Sequence, residues 1–233
     1  MFYFADVAIF FAILFGCVGA ASLIFKIRIR ADFQKLRNLR GLNLALVVYL
    51  VGVWLMTFLL TLAPPNGADY DSLTYHLAAP AQYLRHGKIL ELPYDHHAYF
   101  PFVMEMLYLL GLALQGPVLA KLFHWIMLPL CCITLVAMGR RHVSIRAGLW
   151  AAALFASIPL VQIEATTAYV DVGFSAFVLL AFLCFSHWLD GEEKSRGWWL
   201  AWCGVFCGLA MGTKYFGVLF WGFLGIAALV VMA

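Results

Sequence analysis

The chain has 233 residues, 65% of them hydrophobic and 12% charged, with a formal net charge of +3 and a mean hydropathy of +0.92. This composition excludes a soluble globular domain, because apolar runs this long and this poor in charge suit the roughly 30 Å hydrocarbon core of a bilayer. It also argues against nucleic acid as a partner, since the bases lie in short connectors and report membrane topology instead.

The expected fold is all-α, a single polytopic transmembrane bundle over residues 1–233 with about six or seven spans. Residues 4–25 make the first span. No basic leader precedes it, and it is too long for a cleavable signal core, so it reads as a retained helix. The connector 26–40 holds Lys26, Arg28, Arg30, Lys35, Arg37 and Arg40 against Asp32 alone. Further spans are expected at 41–63, 118–138, 147–163, 172–189 and 198–212, with the apolar run 217–233 as a seventh.

The connector 139–146 carries Arg140, Arg141 and Arg146, and the excess of bases in both connectors assigns them to the cytoplasm. Alternation then puts residues 64–117 outside as a large loop with interfacial helices, one of them at 102–115 with Glu105, Phe102 and Tyr108. It also puts 164–171 outside, 190–197 inside and Lys214 outside. The expected location is a multi-pass position in the cell (inner or cytoplasmic) membrane, with the active face periplasmic or extracellular. The chain ends inside an apolar run, which reads as the N-terminal part of a longer protein. Cys17, Cys131, Cys132, Cys184, Cys203 and Cys207 all lie in apolar runs without metal-ligand spacing and read as packing thiols, with Cys203 and Cys207, on one helix face, the weak exception.

The polar island 64–101 stands out in so apolar a chain. It holds four acids, two bases and four of the seven histidines, more than a connector between spans requires. Read as one helix, 71–85 puts Leu73, Leu77, Pro80 and Leu84 on one face and Asp71, Tyr75, Gln82 and Arg85 on the other. Pro80 is expected to kink it. A carboxylate at the start of such a helix can act as a general base, and Asp71 is the candidate, with an N-cap as its plainer role.

Lys214, between Gly212 and Gly217, is either a snorkelling anchor or a cation for a phosphate. Arg85 and Lys88 are further phosphate candidates. His96 and His97 are neighbours that diverge in a helix and oppose in a strand, so neither geometry makes a good metal pair; a divalent metal held by Asp71 with His96 or His97 stays open. His124 reads as a core histidine bonded to a neighbouring helix. Of the two acids bordering the outer turn, Glu164 and Asp171, the second is the better functional candidate.

The order of these residues resembles the GT-C membrane glycosyltransferases, in particular bacterial and archaeal relatives of the dolichyl-phosphate-mannose protein mannosyltransferases. The likeness rests on Asp71 in Asp71-Ser72-Leu73-Thr74-Tyr75-His76-Leu77, the Gly87 turn, Tyr99-Phe100-Pro101, Glu105, Gly139-Arg140-Arg141, Tyr169-Val170-Asp171 and Gly208-Leu209-Ala210-Met211-Gly212-Thr213-Lys214. It implies an inverting enzyme that moves a hexosyl or pentosyl group from a polyprenyl-phosphate carrier to an acceptor hydroxyl of a lipid, glycan or protein. It further implies Asp71 as the catalytic acid of the first loop and Lys214 near the lipid phosphate. Beside them, Tyr75, Arg85, Lys88, Glu105 and Asp171 are the candidate substrate contacts. The sequence departs from many relatives in having Tyr70 between Asp69 and Asp71, where they have an adjacent Asp-Glu pair. The competing readings are a transporter or channel subunit, with Asp171, Glu164 and His124 as a relay, and a non-catalytic membrane assembly protein.

Overall fold

The computed structural model describes residues 41–232 except Ala68 and Glu192, together with Ala5, Ala8, Ile9, Phe10 and Ala12. Apart from those five positions, the span expected at 4–25 and the basic connector after it lie outside the described residues. Among the described residues the chain is all-helical, without strands.

Three helical stretches are long and apolar enough to cross a membrane: α1 (Leu42–Thr61), the pair α4 (Pro117–Trp125) and α5 (Met127–His142), and α8 (Asp171–Asp190). A fourth crossing arises if α6 (Ile145–Ser157) and α7 (Pro159–Ala165), bent by 73°, make one broken span. The spans expected at 198–212 and 217–233 correspond to α9 (Glu193–Met211) and α10 (Gly217–Met232), which fall short of that standard, so six or seven crossings are not reached among the described residues. Preceding these helices in the island are a π-helical turn (Ser72–His76), α2 (Ala78–His86) and a 3-10 turn (His96–Tyr99), followed by α3 (Val103–Leu114).

Proline sets several of these boundaries. Ile158 is extended ahead of Pro159, as the steric demand of the ring requires, and the helix restarts with Pro159 at its first position. Pro117 opens α4 in the same way after Gly116, whose φ of 140° only glycine adopts with ease. The interruption at Ile126 precedes Pro129, which lacks an amide hydrogen and crowds the carbonyl four residues back.

α8 is the central strut, packed on α5, α9 and α10, while α6 lies against α5 and α1. Where α5 meets α6, a Cβ on Gly139 would fall 2.2 Å from Gly148 Cα, so this crossing depends on two glycines. Outside the core the helices expose Leu, Val, Ile and Phe freely, as on α1 (Val48, Leu55, Leu59) and α10 (Leu219, Phe223, Ile226). That is the surface a protein offers to lipid rather than water. At one end of α8, Arg141 Nη2 bonds Ser186 O and Asp190 Oδ2, each at 3.2 Å. Asp171 is at the other end, about 30 Å away by helix rise.

Candidate active site at the Asp171 end of the bundle

The island does not form the single amphipathic helix expected of 71–85. Leu77 N bonds Ser72 O at 2.9 Å, a bond spanning five residues, which inserts an extra residue into the first turn before α2 begins. The face is therefore redrawn: Leu77 and Pro80 are buried as expected, but Leu73 is 47% exposed and Leu84 37% exposed. His76 is turned inward and is only 4% exposed. The break falls at Leu77, ahead of Pro80. Ser72, fully buried, explains why the turn stays in place: its Oγ accepts from Ala168 N at 3.1 Å and ties the island to the loop before α8.

Asp71 leads this turn with helical backbone angles, and its side chain caps nothing. Its carboxylate is half-buried and has no hydrogen-bond partner among the described residues, which leaves it available to a ligand. Asp69 differs, since its Oδ2 accepts from Asn66 N at 3.1 Å in a local turn.

Beside the π-turn is a cavity of about 230 Å³. Its polar wall is Tyr75, His76, Glu105 and Lys214, and its apolar wall includes Phe100, Pro101 and Phe216. His76 Nδ1 meets Glu105 Oε1 at 2.6 Å with both side chains nearly fully buried, and Glu105 Oε2 has no partner among the described residues. Glu105 and Tyr108, expected on an interfacial helix, thus point from α3 into protein; Tyr108 is fully buried and its hydroxyl donates to Tyr169 O. Lys214 donates to Asp171 Oδ1. Burial, then the charges of Asp71, Glu105 and Asp171, raise the Tyr75 phenol above the ordinary tyrosine value. Glu164 on α7 is within the electrostatic reach of Asp171 and Lys214.

Two backbone-level contacts hold the far wall. Val103 N, at the start of α3, bonds Gly212 O at 2.8 Å, and a Cβ on Gly212 would meet Val103 Cγ2 at 2.5 Å. Tyr215 Oη donates to Tyr99 O at 3.0 Å.

Of the expected site residues, Tyr75, Glu105 and Lys214 line one cavity, Asp171 joins through Lys214, and Asp71 opens the helical turn that carries Tyr75. Arg85 and Lys88 are exposed at and beyond the end of α2, and neither lines the cavity. The histidine pair lies in a geometry other than the helix or strand weighed for it. In a 3-10 turn, not considered from the sequence, the rings of His96 and His97 are 3.8 Å apart, and the carboxylate beside them is that of Asp95 rather than Asp71. His76 was also missed; the sequence signal was its place one residue after Tyr75.

His124 fulfils the core role read from the sequence. Its Nδ1 donates to Thr167 O at 2.9 Å, and its Nε2 accepts from Gly173 N at 3.3 Å, capping an otherwise open amide in the first turn of α8. The five described cysteines are free and buried, in keeping with packing thiols.

The described residues thus form a helical membrane bundle with a polar cavity at one end. Residues 99–233 match the family described as dolichyl-phosphate-mannose-protein mannosyltransferase, and the chain belongs to that family of membrane glycosyltransferases, which use lipid-linked sugar donors. No curated protein and no solved structure matches the chain. The matched stretch takes in Glu105, Asp171 and Lys214, whereas Asp71, Tyr75 and His76 precede it.

Proposed function

We propose that the chain carries the transfer site of an inverting glycosyltransferase, which moves a sugar from a polyprenyl-phosphate carrier to an acceptor hydroxyl at the outer face of the cell membrane. The observation behind this reading is the cavity at the Asp171 end of α8, lined by Lys214, Tyr75 and Glu105, with Asp171 bonded to Lys214 and Asp71 leading the turn that carries Tyr75. It holds a group the size of one sugar ring and is smaller than the roughly 300–1,000 Å³ of drug-sized pockets. Arg140 and Arg141 are at the opposite end of the bundle, and bases there favour a cytoplasmic side.

In the proposed reaction Asp71 takes the proton of the acceptor hydroxyl as its oxygen attacks the anomeric carbon. The bond from that carbon to the phosphate oxygen breaks, and the configuration inverts. Polyprenyl phosphate departs with the bonding electrons, and Lys214 meets the charge that builds on it. One ammonium hydrogen is already used by Asp171, which leaves two for phosphate oxygens. Arg85 and Lys88, exposed at and beyond the end of α2, are assigned to longer-range attraction of the anionic donor. The acceptor, whether lipid, glycan or protein, approaches from the aqueous side. The transporter reading is less well supported, because both ring nitrogens of His124 are held by backbone groups and a relay through it would have to break them.

The test is sugar transfer from polyprenyl-phosphate donors in proteoliposomes. Transfer by the wild-type chain, lost in Asp71→Asn, is the expected result; no transfer with any donor from a folded chain would reject the reading.

A further inference from the structure

We infer that Asp95, His96 and His97 form a binding site for a divalent ion of the zinc class at the rim of the cavity. Three consecutive residues seldom converge on one point, but the 3-10 turn makes them do so. One ligand atom from each lies within 4.8 Å of the others. Asp95 organises the group twice over: its Oδ1 accepts from His97 N at 3.0 Å and lies 2.8 Å from His97 Nδ1. Two imidazoles with one carboxylate suit zinc and its first-row neighbours, whereas magnesium and calcium favour oxygen donors alone. With bonds of about 2.0–2.2 Å, an ion between these atoms requires only small side-chain movements and keeps a fourth position for water. His96 is exposed, so the ion has access from solvent.

The site has a structural reach. His97 stacks on Tyr75 with ring centroids 4.1 Å apart and 5° between planes, and Phe100 stands edge-on to it at 5.4 Å. Tyr75 and Phe100 both line the cavity. An ion bound by the turn therefore stiffens one wall of the proposed sugar site without touching the reacting atoms.

The experiment is calorimetric titration of Zn²⁺ into the full chain, free of tag histidines, in detergent micelles. Expected are one Zn²⁺ per chain, a dissociation constant raised about tenfold or more by His96→Ala and by Asp95→Asn, and no competition from Mg²⁺. His86→Ala, at the exposed last residue of α2, is expected to bind as wild type does. Absence of Zn²⁺ binding, equal binding by wild type and His96→Ala, or displacement by Mg²⁺ would each overturn the inference. Sugar transfer is no part of the readout, so failure here leaves the glycosyltransferase reading untouched.

Discussion

Lys214 and Asp171 share a charge-assisted hydrogen bond that joins the turn after α9 to the first residue of α8. Their side chains are 33% and 43% exposed, so water screens the pair, and its worth to folding is at most about 1 kcal/mol. Its effect is to aim the ammonium. Asp171→Asn is expected to leave unfolding in detergent nearly unchanged while weakening donor use several-fold. Lys214→Ala should raise the donor KM, with Lys214→Arg retaining more function because it keeps the charge. A wild-type donor KM in Lys214→Ala would reduce the residue to an interface anchor.

The neighbouring acids Asp69 and Asp71 should separate cleanly. Asp71→Asn removes a carboxylate with no hydrogen-bond partner among the described residues, so folding should survive while turnover falls by roughly 10²–10⁴-fold, the usual worth of a general base. Asp69→Asn only alters a local turn with Asn66 and should stay within a few-fold of wild type. Steady-state rates with saturating donor decide between them, and the reverse ranking would transfer the role of base to Asp69.

The buried His76–Glu105 pair makes a stability prediction. His76→Ala leaves both carboxylate oxygens of Glu105 without a partner in an apolar setting, which should cost about 3–5 kcal/mol. Replacing both residues by leucine should cost less than the single change, because no charge is then stranded. Chemical unfolding in detergent measures both, and a neutral His76→Ala would show that water already satisfies Glu105.

Tyr75 gives a pH signature. Its raised phenol value means that the fold favours the neutral form. That contribution is therefore intact below the free tyrosine value of about 10 and is lost as pH rises beyond it. Tyr75 should remain a hydrogen-bond donor throughout the neutral range, and ultraviolet titration should show one fewer late-ionising tyrosine in Tyr75→Phe. An unchanged count would place Tyr75 in water.

Sidedness is best probed at Lys88, which is exposed beyond α2. Lys88→Cys should react with an impermeant maleimide in intact cells. Reaction only after the cytoplasmic face is opened would invert the topology. Ser72 is unsuitable for such a probe, being fully buried and bonded to Ala168.

Long apolar runs were readable directly. Residues 41–63 became α1 (Leu42–Thr61) and 172–189 became α8 (Asp171–Asp190), because in a bilayer length and hydropathy together leave the backbone few choices. The cavity was readable only as a set of members. His76 and Glu105 are 29 residues apart and Asp171 and Lys214 are 43 apart, and no periodicity records which distant side chains will meet. The π-turn escaped for a related reason: a 3.6-residue repeat was assumed, and the extra residue is held by Ser72 reaching a loop 96 residues later. Asp95 was within reach, since an aspartate just ahead of His96 and His97 can bond its own backbone two residues on and shape a turn.

The bond from Val103 N to Gly212 O has a consequence for how the protein is made. Residues 64–103 leave the ribosome early, yet their anchors at Ala168, Gly212 and Tyr215 are translated much later. During synthesis this loop must wait through the synthesis of α8 and α9 before its last contacts can form. Closure over so long a stretch of chain is intrinsically slow. The site is therefore assembled last, and a nascent chain stalled before Gly212 would expose an open, uncompleted loop to any quality-control protease on that side of the membrane.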